Sequence, residues 1–120
     1  MTPRDEQSLL DIVLAGRLIA QFSAEISTAT ELEGNPLLAS AIAWQFHIIG
    51  EATKRLGPDV RAASPTIPWS DMARLRDRVA HGYDSIDWTI LWRIAQNDLP
   101  ATIAAIEKML RARGVDPRHK

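Results

Sequence analysis

The sequence predicts an all-α fold, an up-and-down four-helix bundle. Three observations lead there. Apolar residues recur every three to four positions over long stretches, the period of a helix face turned to a core. No segment alternates with period two, as a half-buried strand would. Glycine and proline punctuate the gaps between the periodic stretches, and connections that short favour antiparallel neighbours. The chain has 120 residues, which predicts one domain over residues 1–113 and a flexible tail at 114–120. Hydrophobic residues make up 46% of it. That is enough for a core, although a domain of this size gains stability by pairing with a second copy.

The first helix is expected over residues 5–32, where Leu9, Ile12, Val13, Ile19, Ala20 and Ile26 keep the helical period. Glu33-Gly34-Asn35-Pro36 breaks it. Asn35 suits an N-cap and Pro36 the first helical position. The second helix then runs to about Leu56, with Leu38, Ile42, Gln45, Ile49, Ala52 and Leu56 on one side, and Gly57-Pro58 stops it. Residues 58–67 form a connector with a short turn at Asp59–Ala63. Pro68 opens the third helix, which turns Met72, Leu75 and Val79 inward and ends near His81-Gly82. Asp87 caps a fourth helix that starts at Trp88 and reaches about Arg113, bent or briefly broken at Pro100. Trp88 and Trp92 share a face and read as packing residues, and Trp69 as an anchor for the third helix.

Composition narrows the function. With no cysteine there is no disulfide, thiol nucleophile or thiolate metal site, which fits a reducing, cytoplasmic setting. The N-terminus does not read as a signal peptide, and no apolar run approaches the length of a membrane span. A net charge of −1 argues against a general nucleic-acid coat. The charge is unevenly spread, however. Residues 1–53 carry a net −5, residues 54–78 a net +3 and residues 79–120 a net +1. A basic middle section can steer a polyanion to one place, although for a charge run alone a solvated helix face is the favoured reading.

Chemistry concentrates in Leu75-Arg76-Asp77-Arg78-Val79-Ala80-His81-Gly82-Tyr83. Asp77 and His81, four apart on a helix, share a face, so the carboxylate can orient the imidazole. The helix C-terminus favours a protonated His81, and a histidine titrating near neutrality serves as acid or base. The planar fork of Arg76 suits phosphate oxygens. RNA brings its own nucleophile, the 2′-hydroxyl, so an Arg/His pair suffices in principle for metal-free cleavage. One histidine does not easily act as both base and acid, and two copies of the site across a dimer would remove that difficulty. The Arg-x4-His spacing alone is weak, and a capping histidine beside surface arginines explains it better. Glu51 can pair with an arginine of the third helix or, as a surface pair, with Arg55. Arg74 and Arg78 are candidate phosphate contacts or ordinary exposed residues, and His47 reads as a packed or half-exposed helix residue rather than a ligand.

Longer runs carry more. Pro68-Trp69, Leu75-Arg76-Asp77, His81-Gly82-Tyr83, Ile86-Asp87, Leu91-Trp92 and Asn97-Asp98-Leu99-Pro100, with Ile48-Ile49-Gly50-Glu51-Ala52 in the second helix, together resemble the HepT-like proteins. These are a branch of the HEPN superfamily, toxins encoded beside a minimal nucleotidyltransferase (MNT) antitoxin. The resemblance covers nearly the whole chain. It implies a HEPN-like helical homodimer with a cleft at the interface, and metal-independent RNA cleavage that needs no cofactor, with tRNA the expected substrate. It maps the catalytic motif onto Arg76, Asp77 and His81, with aspartate where relatives often have asparagine. It also implies that the MNT partner adds AMP to Tyr83 and so silences the toxin. The residues leave two other readings open: a non-catalytic module of this fold that binds a nucleotide or a nucleotidyltransferase, and a helical dimer used for assembly.

Overall fold

The helices begin where the sequence supplies caps. In the computed structural model, which describes residues 1–80 and 83–118 with Tyr83 by its backbone alone, α1 spans Pro3–Ser23. Its N-cap is Thr2, whose hydroxyl accepts from Asp5 N at 3.1 Å while the Asp5 carboxylate accepts from Thr2 N at 3.0 Å. This reciprocal pairing satisfies two backbone donors at the helix start. The single first helix expected through residue 32 is in fact two. After Ser23 the chain turns, and a short α2 occupies Ala29–Glu33. The cause is a second cap: Thr28 accepts from Glu31 N at 3.1 Å, and the Glu31 carboxylate accepts from Ser27 N at 3.2 Å. Helix α3 spans Pro36–Lys54, opened as expected by Asn35, which accepts from Leu38 N at 3.1 Å.

The expected turn after Gly57 is a short helix, α4 (Pro58–Ala63). Helix α5 spans Trp69–Ala80, and Trp69 anchors its start by donating from Nε1 to the Ser64 carbonyl at 3.0 Å. A 3₁₀ turn at Tyr83–Ser85 precedes α6 (Trp88–Arg93), which Asp87 caps through Ile90 N at 3.1 Å. From α6 the helix continues through Ile94–Asp98 into α7 (Leu99–Ala112). The junction is a π-turn in which Leu99 N bonds to the Ile94 carbonyl, five residues back. Pro100 explains it. Proline has no N–H for the carbonyl four residues earlier, and its ring crowds that carbonyl, so the helix widens by one residue. The fourth long helix is therefore continuous, and Asp98 makes no side-chain cap.

Helices α1, α3, α5 and the α6–α7 rod make the bundle, with no strand among the described residues. Helix α3 packs between α1 and α5, and α7 packs on the other side of α1. Leu9, Ile12, Val13, Ile19, Ile42, Phe46, Ile49, Ile106 and Leu110 are almost fully buried where these faces meet. Each such side chain contributes roughly 1.5–3 kcal/mol by leaving water. Residues 114–118 fold back onto α1. Arg17 Nη1 donates to the Pro117 carbonyl at 2.6 Å, Arg17 also pairs with Glu107, and Pro117 is buried. Among the described residues no helix is long and apolar enough to cross a membrane.

Candidate functional site

The site begins with a missing side chain. Gly50 lies where α3 crosses α5, and a Cβ there would overlap the backbone nitrogen of Arg76 and come within 2.8 Å of its Cα. Glycine lets the two backbones touch. That contact fixes Arg76, rather than any other residue of α5, against the polar side of α3. Neighbours of Gly50 then reach across. The Glu51 carboxylate stands 3.4 Å from Arg76 Nε, and both side chains are 41% exposed. Nε itself is buried and the angle to Glu51 is too poor for a hydrogen bond, so the attraction is electrostatic. Of the two partners open to Glu51 from sequence, the arginine on α5 is the one found. Arg55 pairs instead with Asp11 at 3.4 Å.

Asp77 is also engaged. Its Oδ1 accepts from Lys54 Nζ at 3.1 Å and lies 3.5 Å from Arg76 Nη1. The Lys54 hydrogen bond holds the Asp77 carboxyl below its ordinary value, with Arg76 adding to the effect against partial desolvation. Asp77 is thus ionised at neutral pH, and Lys54 draws it toward α3. Arg76 Nη2 has no partner among the described residues. Glu51 faces the Nε of the guanidinium and Asp77 its Nη1, so each of the two donor edges, Nε–Nη2 and Nη1–Nη2, has one engaged nitrogen. An anion with two adjacent oxygens could bridge Nη1 and Nη2 by displacing the long contact to Asp77.

Structure separates the remaining candidates. His81, Gly82 and the Tyr83 side chain lie outside the described residues, so the expected Asp77–His81 contact and the position of the Tyr83 phenol are not among the features described. Arg74 and Arg78 flank Arg76 by two residues each, which turns them about 160° around α5 from it. Arg74 pairs with Asp71 at 2.6 Å. Arg78 lines a groove of about 440 Å³ between α5 and the α6–α7 rod, with Arg93 and an apolar floor that includes Met72, Leu75 and Leu99. Neither arginine shares the face of Arg76. Lys54 belongs to the site without having been singled out from sequence, because nothing in a lysine 23 residues from its partner announces the pairing. His47 stacks on Trp44, with ring centroids 5.1 Å apart and planes 15° from parallel. No cluster of three or more His, Asp or Glu side chains suited to a metal occurs among the described residues.

Comparison with known proteins meets this geometry. The model of the family described as ribonuclease HepT-like matches residues 13–109, a span that includes Gly50, Glu51, Lys54, Arg76, Asp77 and His81. The chain is 36% identical over 101 residues to "Probable ribonuclease HepT" of Thermococcus cleftensis, covering 84% of this chain and 91% of that protein. It is 32% identical over 108 residues to "Putative RNase MJ1380" of Methanocaldococcus jannaschii, covering 89% and 98%. No solved structure matches it significantly.

Proposed function

The chain belongs to the HepT-like ribonuclease family, and from that premise we propose that it is a metal-independent endoribonuclease, the toxin of a HEPN/MNT pair, acting on RNA with tRNA the expected substrate. The observation that carries the reading is the restrained Arg76 guanidinium, pinned by Gly50 and Glu51 five residues before His81 in sequence. In the proposed reaction Nη1 and Nη2 of Arg76 bind the non-bridging oxygens of the scissile phosphate in place of Asp77 and neutralise charge as the 2′-oxygen adds to phosphorus. An imidazole removes the 2′-hydroxyl proton, and a second imidazole, from a second copy of the chain, protonates the departing 5′-oxygen. Two copies of the site in a homodimer supply both. Asp77 limits the motif by competing for Arg76, and Lys54 offsets that by drawing the carboxylate aside.

An MNT-type nucleotidyltransferase is the proposed antitoxin, adding AMP to the Tyr83 oxygen with loss of pyrophosphate from ATP. Placed two residues beyond His81, the added phosphate would compete for the same cations and repel RNA. The test is cleavage of bulk tRNA by the purified chain in excess chelator, beside Arg76→Ala and His81→Ala, with and without prior incubation with ATP, Mg²⁺ and the nucleotidyltransferase. Cleavage by the native chain alone, lost in both variants and after AMP transfer, is expected. Equal cleavage by all three chains would reject the catalytic assignment.

A further inference from the structure

We propose that Trp44 forms a stacking site for one unpaired base of the RNA strand, next to the phosphate held by Arg76. This rests on the ribonuclease reading and adds a substrate subsite to it. Trp44 is 59% exposed, unusual for the largest apolar side chain on a core helix. It does not lie loose on the surface. One face of the indole is backed by the His47 ring, which holds it in place. Around it lies a depression of about 320 Å³ lined, among the described residues, by Ser40, Ala43, Trp44, His47, Val79 and Ile86.

The depression borders the candidate site on both helices that build it. His47 is four residues before Glu51 on α3, and Val79 is three after Arg76 on α5. Trp44 is seven residues before Glu51 on the same face of α3, two turns or about 10.5 Å away. An unpaired base one nucleotide along the strand from the phosphate at Arg76 spans that distance and lies over the indole, giving a base–indole–imidazole stack. Single-stranded RNA is recognised by splaying bases onto aromatic faces in this way, with little dependence on sequence. Helical RNA would keep its bases stacked internally, so the site selects loops and ends.

The test measures binding of a fluorescein-labelled, single-stranded 12-mer oligoribonucleotide, chosen for this assay, to the His81→Ala chain, whose background removes cleavage. Trp44→Ala, Trp44→Phe and Leu37→Ala are added to that background, and the mass of each species in solution is measured by light scattering. Expected is a loss of affinity of roughly 5- to 100-fold for Trp44→Ala with mass unchanged. Trp44→Phe retains most of the affinity. Leu37→Ala, 80% exposed two turns away on α3, is unchanged. Undiminished affinity in Trp44→Ala overturns the proposal. So does a loss accompanied by a change of mass, which would place Trp44 between copies of the chain. If the parent chain binds no RNA, the ribonuclease reading itself falls, an outcome distinct from either.

Discussion

Replacing Gly50 by alanine tests the geometry on which the site depends. Two effects oppose each other. In a helix interior the change gains about 1 kcal/mol from backbone entropy. Against that, the new methyl overlaps the backbone nitrogen of Arg76 and stands 2.5 Å from its Cβ and 2.8 Å from its Cα. These atoms are mostly main chain and cannot swing aside, so α3 and α5 must separate along a packed face. Overpacking of this kind costs about 1–3 kcal/mol, and a clash with backbone belongs at the upper end. The net expectation is a loss of about 2 kcal/mol, or about 30-fold in the folding equilibrium. For a chain of this length that lowers Tm by roughly 5–12 °C. Thermal unfolding followed by circular dichroism measures it. Gly34→Ala is the control, because its Cβ meets nothing closer than 3.4 Å, and its Tm should hold or rise slightly. The displacement falls on Arg76 itself, so RNA cleavage well below Tm should also drop, by about 10- to 100-fold. A Gly50→Ala chain as stable as the native one would refute the close-contact argument.

Two further outcomes follow from other contacts. Glu51→Gln keeps shape but removes the charge that restrains Arg76. The pair is half exposed, so stability should change by less than about 1 kcal/mol, while the rate of RNA cleavage falls about 10-fold or more; an equal rate would remove Glu51 from the site. Asp5 joins the start of α1 to the chain after α3, accepting from Gly57 N at 3.1 Å as well as from Thr2. Hydrogen bonds from the Thr2 and Gly57 backbones hold its carboxyl below the ordinary 3.8. A carboxyl depressed on folding contributes stability above its unfolded pKa and loses it as pH falls through the folded one. The Tm gap between native and Asp5→Ala chains should therefore be full at neutral pH and shrink below about pH 4; a gap that does not vary with pH would contradict this.

Much of this was legible in the sequence, and the failures have physical causes. Caps with a strong local signature came through: Asn35-Pro36 and Asp87 open helices as read. The break after Ser23 was also written locally, in Thr28-x-x-Glu31, but apolar periodicity across Ile26 masked it. Pro100 announced a disturbance without saying that a widened turn, rather than a kink or a stop, would absorb it. Tertiary pairings were the least legible. Helical arithmetic allows Glu51 to meet Arg55, and only the packing shows that Asp11 already holds Arg55. Trp44 was not singled out in the sequence, where it lies among apolar neighbours; the fold leaves it exposed.

The arrangement of Gly50, Glu51 and Lys54 explains why the arginine motif alone was weak evidence. Within five residues α3 supplies a gap for the α5 backbone, an anion for Arg76 and a cation for Asp77. Any helix can carry Arg-x4-His by chance. A helix that also meets this complementary trio has its guanidinium held in one place, its neighbouring carboxylate drawn off, and its Nη2 without a partner among the described residues. The two cations and two carboxylates nearly cancel, so the unoccupied site costs little to keep folded. An incoming phosphate then shifts the balance by taking the place of the weakly held Asp77. On this view part of the site's specificity lies in α3, and substitutions there should slow RNA cleavage without touching a single residue of the Arg–His motif.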